Sequence, residues 1–463
     1  MSVVTLPLKY EPWQRDVMNK RFELCRNVYN AMLGYEIKQF GKMQRDPRYK
    51  EIAPVIESAY KGAERDSDGK AKIKITPELK EAFDKKNAIE QEYGLTEFGF
   101  TSSVRMFYKE KIDFTQNISS NLAILSIAKP MWAAFSAVMY RGGEQVSFKK
   151  YGELNSVATD GKSGMRLIDR HEDTLFSRVN NEPVSICYGT AKGKILTMPV
   201  VLDKNDVYAQ EALTHPIKVI RLVRKKVKGE YRYSVQFTVA GAPPIKYTKD
   251  GKEKHPMGSG RVGVYIDTTS VTAVNQDGTH VFSLKEGLSD HSKEISEIEQ
   301  YLDISRRLSN PDNYNADGTS VKNGIVVDGK RVRLKWKYSN KYKKARAKKE
   351  NLYRIDSENR SIQRDIIANR LMALGDEFYI NDYPFQYAAQ RKKDTQIDKN
   401  GRQKSKKKAG RTIGQLAPAA VVVKLESRLK ARGVAGITKV KLKDIDLSMP
   451  NYREEYAKQL FNT

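Results

Sequence analysis

The stretch Arg261-Val-Gly-Val-Tyr-Ile-Asp-Thr-Thr-Ser-Val-Thr-Ala-Val274 decides how the chain is read. Val262, Val264 and Ile266 alternate with Gly263 and Tyr265, the period of two that marks a strand. A second strand spans 270–275, the Asn-Gln-Asp-Gly tract at 275–278 supplies a turn, and a third strand covers 279–284. Tyr265 stands in the middle of the first strand. Asp267 comes two residues later, so on a continuing strand it shares Tyr265's face, displaced by about 6.6 Å at ~3.3 Å per residue.

Downstream residues extend these strands into a mixed domain. A helix is predicted over 291–309, capped by Asp290 or Ser292, then a polar loop from Asn310 to Gly318. A long helix runs to Gly375, with Leu352, Ile355, Ile362, Ile366, Leu371 and Leu374 inward. Phe378-Tyr-Ile380 reads as a short buried strand leading to Asn381-Asp382. Pro418 opens another helix, which Gly433 stops. A last strand over Ile437–Leu442 precedes a polar tail to Thr463.

Three strands and then alternating helices and strands are the layout of an RNase H-like nuclease core. Such a core holds two divalent ions about 4 Å apart on converging carboxylates. These come from the middle of the first strand, the end of the strand after the long helix, and a late helix. The first position falls on Tyr265, whose phenol is neutral near pH 7 (pKa about 10) and a poor ligand for Mg²⁺. The second falls on Asn381, which keeps the shape and lacks the charge. No catalytic Mg²⁺ and no enzyme activity are therefore expected. The alternative is a nuclease with a repositioned centre using Asp267 and Asp382. It needs a rearranged backbone, because Asp382 points away from Asn381's face.

Charge gives the partner. The 463 residues include 83 Lys+Arg against 56 Asp+Glu, a formal net charge of +27, and a polyanion is implied by counterion release at phosphates. No run of about 18 apolar residues, basic amphipathic anchor or secretory start is visible, so a membrane is not expected and the cytoplasm is, with nucleoid association through DNA. Cys25 and Cys187 are the only cysteines, which excludes a disulfide framework and a Cys-x-x-Cys zinc ribbon; the five histidines have no metal-ligand spacing.

Upstream, residues 1–10 hold a short strand, and 11–140 read as a helical domain, with Phe22, Cys25, Val28, Tyr29, Met32 and Ile37 at helical spacing. From 141 to 255 the period changes to two. The clearest hairpin pairs Ile217–Val227 with Glu230–Ala240 around Lys228-Gly229, placing Tyr231, Tyr233, Val235, Phe237 and Val239 on one side. The outgoing strand carries Lys218, Arg221, Arg224, Lys225 and Lys226, so a β-barrel with one basic side is expected, a shape that suits single strands or RNA. The polar tract from Ala242 to Pro256 reads as a linker, and the third domain covers 256–463.

The densest nucleic-acid signal is 331–349, with ten basic residues and no acid, and with Trp336, Tyr338 and Tyr342 between them. Interleaved cations and flat rings suit phosphate contact and base stacking. Arg331, Arg333, Lys335, Trp336, Lys337, Tyr342 and Lys343 are the expected contacts there. Lys149, Lys150 and Tyr151 are expected to touch RNA, and Thr101, Ser102 and Arg105 to approach duplex DNA; Lys225 and Lys226 join the basic side of the barrel. Residues 390–411 carry ten Lys/Arg and two Asp and read as a loop that orders on a polyanion.

At these residues the chain resembles the TnpB family of transposon-encoded RNA-guided nucleases, relatives of the miniature type V CRISPR effectors. The likeness runs from Lys20-Arg-Phe-Glu-Leu-Cys-Arg-Asn-Val-Tyr-Asn30 through Phe148-Lys-Lys-Tyr-Gly-Glu-Leu-Asn-Ser156 to Ile413-Gly-Gln-Leu-Ala-Pro418. The family pattern GIDIG falls on Gly263-Val-Tyr-Ile-Asp267, setting its aspartate against Tyr265. FYIEDMNF falls on Phe378-Tyr-Ile-Asn-Asp-Tyr-Pro-Phe385, setting its glutamate against Asn381. The family's zinc ribbon and last aspartate, expected beyond the 437–442 strand, have no counterpart in the sequence.

Departures confined to catalytic elements resemble the TldR proteins, nuclease-dead TnpB descendants that repress transcription. The resemblance implies a multidomain α+β protein: a wedge β-barrel (1–10 and 141–255), a helical recognition domain (11–140), and a degenerate, truncated RuvC-like domain (256–463) lacking a zinc ribbon. It implies a guide RNA as obligate partner, one protein per guide, and double-stranded target DNA held beside a short motif, in competition with RNA polymerase at promoters. Base pairing would supply the sequence readout. An RNA-binding accessory that never opens DNA is the third reading.

Overall fold

The computed structural model describes residues 2–61, 63–65, 71–109, 112–140, 143, 145–161, 163–168, 185–190, 193–203, 206–321, 325–327, 330–332, 334–383, 385, 410–434, 436–442 and 448–463. Contacts divide the chain into two compact units, Met1–Lys225 with Tyr231–Pro244, and Lys226–Glu230 with Ile245–Thr463. The protein is mixed α+β, as expected.

The first unit combines helices with a four-stranded sheet, a three-stranded sheet and a two-stranded pair, Glu64–Arg65 with Ala71–Lys72. Helix α1 (Pro12–Met43) starts at a capping box, in which the Glu11 amide donates to Gln14 Oε1 at 2.8 Å. Its buried stripe is Phe22, Cys25, Tyr29, Met32, Leu33 and Glu36. Ile37, expected on that stripe, is exposed: the steps 22, 25, 29, 32, 36 keep one helical face, which 37 leaves. Helices α2 (Pro47–Lys61), α3 (Pro77–Glu92), α4 (Glu97–Lys109) and α5 (Lys129–Tyr140) complete the helical layer, with a π-turn at Ile124–Ala128 leading into α5. By length and composition the helical run Ser120–Tyr140 could cross a membrane, which the sequence had not led us to expect. Its Leu122, Ile127, Met131 and Phe135 lie in the core of this unit.

Strands β1 (Ser2–Pro7), β2 (Ser156–Thr159), β3 (Met165–Ile168), β4 (Ser185–Tyr188), β5 (Leu196–Pro199), β6 (Ile217–Val227) and β7 (Glu230–Val239) form a four-stranded sheet, β1-β7-β6-β2, and a three-stranded one, β3-β4-β5. An isolated bridge, Leu8 to Val200, links them. A closed barrel, expected from the sequence, is not seen among the described residues. At the outer edge of β2 the Ala158 amide donates to Ser126 Oγ at 2.7 Å, and that hydroxyl donates to the Ala158 carbonyl at 3.1 Å. A helical serine thus satisfies the edge where a further strand would pair.

The β6–β7 hairpin turns at Lys228 and Gly229 with φ of 50° and 93°, the left-handed pair of a two-residue turn. Its apolar side is the one the alternation gives. Arg224, placed on the basic side by sequence, is buried instead. It lies over the rings of Phe22 (4.6 Å) and Tyr231 (4.5 Å) and donates to Glu23 Oε1 at 2.8 Å and the Leu154 carbonyl at 2.9 Å. A paired guanidinium can be buried where an isolated one cannot.

The second unit is built on one sheet. Strands β8 (Arg261–Ile266), β9 (Ser270–Asn275), β10 (Gly278–Ser283), β11 (Glu377–Asn381) and β12 (Thr438–Val440) stand in the order β10-β9-β8-β11-β12. The first three are antiparallel neighbours, and β11 and β12 run parallel to β8. Helices α6 (Ser292–Ser309), α7 (Asn340–Met372), α8 (Ala419–Ala431) and α9 (Tyr452–Phe461) belong to the same unit, as does a short helix, Gly410–Leu416. Val262, Val264 and Ile266 share a core with Ile367 and Leu371 of α7 and Val421 and Leu425 of α8. Tyr265 and Val274 face the opposite layer, with Tyr456, Ala457 and Leu460 of α9.

Helix α9 corrects the expected polar tail. Tyr452, Tyr456 and Leu460 recur every four residues, giving a narrow apolar face within a charged segment. It sits so close to β8 that a Cβ on Gly263 would lie 2.2 Å from the Ala457 carbonyl oxygen and 2.3 Å from the Phe461 nitrogen. Only glycine fits there.

Candidate nucleic-acid interface and the strand-end site

The C-terminal ends of the neighbouring strands β8 and β11 bring Tyr265, Asp267 and Asn381 to one end of the sheet. Asn381 is 7% exposed. Its Oδ1 accepts from the Ile266 amide at 2.7 Å and its Nδ2 donates to the Ile266 carbonyl at 3.0 Å. The backbone register of β8 with β11 ends at Val264 and Ile380, so this side chain continues the ladder as a peptide would. Asp382, the next residue, is exposed, and its amide donates to the Val440 carbonyl at 2.8 Å.

Tyr265 is 1% exposed. Its ring packs edge-on to Tyr452 at 6.0 Å and tilted against Tyr456 at 5.7 Å. Burial, then Tyr452 and Asp267 nearby, push its phenol well above the usual range, so it is neutral. Asp267, 7% exposed, is fully engaged. Oδ1 accepts from the amides of Thr269 (2.6 Å) and Ser270 (2.7 Å), and Oδ2 from Arg453 Nε at 2.5 Å. Burial raises this carboxyl's pKa, but the two amides and Arg453 outweigh burial and hold it below the usual carboxylate range.

These residues do not fit a two-metal centre. Mg²⁺ requires oxygen ligands at about 2.0–2.1 Å in octahedral order. Tyr265 offers a neutral phenol, the Asn381 oxygen is bonded to Ile266, and a guanidinium already neutralises Asp267. Among the described residues, no group of three or more His, Cys, Asp or Glu could hold a metal ion.

The basic–aromatic segment is fixed by two asparagines. Asn310 Nδ2 donates to the Lys337 carbonyl at 2.9 Å while Oδ1 accepts from the Lys337 amide at 2.6 Å, and Asn313 Nδ2 donates to the Lys335 carbonyl at 2.8 Å. Trp336 turns inward, edge-on to Tyr314 at 5.9 Å with Arg306 over its ring at 5.5 Å. The rings that reach solvent are instead exposed Tyr338 and half-buried Tyr342, stacked at 4.6 Å and 20°. Lys348, Lys349 and Arg346 are paired with Glu294, Glu299 and Glu350. Lys335, Lys337, Lys341, Lys343 and Lys344 are exposed, with no acid partner among the described residues. Five free cations thus flank a stacked tyrosine pair. Arg331 lies in a short hairpin of 325–327 with 330–332. Arg333 and most of 390–411 lie outside the described residues.

In the first unit the 148–153 loop is held in the same way. Asn30 donates to the Lys149 carbonyl at 2.8 Å and accepts from its amide at 2.9 Å, and the Gly152 amide donates to Glu23 at 3.1 Å. The Lys149 ammonium lies over the Tyr29 ring at 5.0 Å. Lys150 is exposed, as are Phe148 and Tyr151, the latter by 73%. Thr101, Ser102 and Arg105 lie on α4, where Thr101 Oγ1 donates to the Glu97 carbonyl at 3.0 Å. Lys225 and Lys226 are exposed, and Lys226 pairs with Glu350 at 2.8 Å. Sequence reading missed Asn30, Asn310 and Asn313, since an asparagine gives no local sign of which distant peptide it will grip.

No protein-family model and no curated protein matches the chain. Among solved structures, a chain of the cryo-EM structure of the Cas12f1–sgRNA–target DNA complex is similar at 8% identity with a TM-score of 0.37, over 99% of this chain and 94% of that one. A chain of the cryo-EM structure of a CRISPR-Cas12f ternary complex is similar at 9% identity with a TM-score of 0.24, over 99% and 94%.

Proposed function

We propose that the protein is an RNA-guided DNA-binding protein of TnpB descent, of the nuclease-dead TldR kind, which represses transcription by occupying guide-matched DNA beside a short duplex motif. The observation that carries this reading is the condition of the strand-end site: Tyr265 sealed beneath α9, Asn381 spent on the Ile266 peptide, and Asp267 neutralised by Arg453. The sheet order, with three antiparallel strands and two parallel to the first, supports the RuvC-like assignment of the second unit.

In this reading the guide RNA pairs with the target strand, and the protein contributes charge and shape. Lys335, Lys337 and Lys343 neutralise backbone phosphates, Tyr338 and Tyr342 offer a stacking surface, and the rigid 148–153 loop meets RNA. The bound complex obstructs RNA polymerase at a promoter.

The test uses the purified protein with its co-purified RNA sequenced, and a duplex matched to that RNA. Gel shift at physiological salt should show RNA-dependent DNA binding, and incubation with Mg²⁺ should leave the duplex intact. Cleavage above background overturns the nuclease-dead reading in favour of a centre using Asp267 and Asp382. RNA binding with no DNA binding leaves an RNA-binding accessory.

A further inference from the structure

Helix α4 presents an uncommon stripe. Phe98, Ser102, Arg105 and Lys109 fall at steps of four, three and four, so they line one exposed face about 16 Å long at 1.5 Å per residue. Phe98 is 78% exposed, although a phenylalanine ring is among the side chains that gain most from burial. The opposite face explains why the ring cannot retract. Phe100 and Val104 are fully buried, and Phe100 packs on Trp132 at 5.3 Å and Phe135 at 5.4 Å.

The first turn of α4 is also fixed. Thr96 Oγ1 accepts from the Gly99 amide at 3.1 Å, and a Cβ on Gly99 would lie 2.0 Å from the Gly94 carbonyl oxygen. Phe98 is therefore an outward ring on a rigid mount. Arg105 and Lys109 have no acid partner among the described residues, and the acid at the head of the helix, Glu97, is met by Lys129 at 4.0 Å. With a net charge of +27, the occupant this face fits is duplex DNA: cations for phosphates, a hydroxyl for a groove edge, and an apolar ring at one end.

We infer that Phe98 inserts between base pairs at the point where the target duplex starts to open, while Arg105 and Lys109 hold the adjoining backbone. Apolar side chains placed at a groove unstack base steps and kink the duplex in this way. The inference rests on the RNA-guided reading and adds to it the residue that starts strand separation.

The experiment compares wild type, Phe98→Ala and Phe98→Trp, each loaded with the co-purified RNA, on two targets matched to that RNA. One is fully paired. The other carries a mismatched bubble at the first guide-matched positions, and in both a 2-aminopurine in that segment reports unstacking. Phe98→Ala should bind the paired target about tenfold more weakly and lose the fluorescence rise, yet bind the bubble within about twofold of wild type, since the bubble removes the unstacking step. Phe98→Trp should keep both signals. Equal binding of Phe98→Ala and wild type to the paired target overturns the inference alone, as does an equal loss on both targets, which marks a plain docking face. Failure of wild type to bind even the bubble overturns the RNA-guided reading, and this inference with it.

Discussion

The side-chain amide of Asn381 makes both its hydrogen bonds to one residue, Ile266, accepting from its amide at 2.7 Å and donating to its carbonyl at 3.0 Å. A carboxylate at this position could accept but not donate, and its second oxygen would face the Ile266 carbonyl. Asn381→Asp should therefore cost about 1–3 kcal/mol, the usual penalty for an unmatched buried polar group. The loss should shrink in acid, where the carboxyl can be protonated and donate. Urea melts at pH 7 and pH 4.5, with and without Mg²⁺, check this. Recovery of stability on adding Mg²⁺ would show a metal site, contrary to the burial of Tyr265 and the hydrogen bonding of Asp267 and Asn381.

The Arg453–Asp267 pair gives a pH signature. Asp267 has a folded pKa below its ordinary value, so its contribution is complete above that value and is lost as pH falls through the folded one. Arg453→Gln should lower the melting temperature at pH 7, by about 1–2 kcal/mol in stability given that Arg453 is partly solvated. The gap to wild type should narrow below about pH 4. A gap that stays constant down to about pH 2.5, well below an ordinary aspartate pKa, would mean that packing, not charge, is what Arg453 supplies.

Lys335 is exposed and its backbone is fixed through Asn313. Lys335→Ala should weaken nucleic-acid affinity and lower the slope of log affinity against log salt by about one, without altering target choice. Titrations from about 50 to 300 mM salt on two unrelated matched targets measure this. A changed preference between targets would assign Lys335 to base readout.

Glu36 is buried in the first unit, and burial, only partly offset by the Ser103 hydroxyl, pushes its pKa up to about 7. For an acid raised in the fold, stability declines as pH rises from the ordinary glutamate range to about 7 and is level above it. Glu36→Met should be more stable than wild type at pH 8, by up to about 3 kcal/mol, with little advantage at pH 4.5. Denaturant midpoints at the two pH values decide it; an equal gain at both would point to improved packing alone.

Much of the second unit was legible because its signals are local. The alternation at 262–266 and the turn at 275–278 define β8 to β10 without tertiary information, and Lys228-Gly229 marks its hairpin equally well. Helix α9 was not legible, because four charges in ten residues mask the short apolar face of Tyr452, Tyr456, Ala457, Leu460 and Phe461. Arg224 was misplaced because period alone cannot foresee a partner such as Glu23, 201 residues away. Among the described residues the expected barrel does not close, and at β2 a serine hydroxyl from a helix takes the edge. At the strand-end site, a tyrosine at 265 and an asparagine at 381 were readable from residue identity. What the asparagine and tyrosine do in the fold depends on α9 and on a peptide 115 residues away.

Strand β8 and the helix that covers it, α9, lie far apart in sequence: Asp267, one residue past the strand, pairs with Arg453 across 186 residues. During synthesis that strand leaves the ribosome long before its covering helix exists, and non-local pairings of this kind close slowly. A nascent chain stalled in between would present a wet glycine–tyrosine strand face to chaperones and proteases. Pulse-labelled hydrogen exchange during refolding should find the amides of α9 protected later than those of the local β8–β9 hairpin.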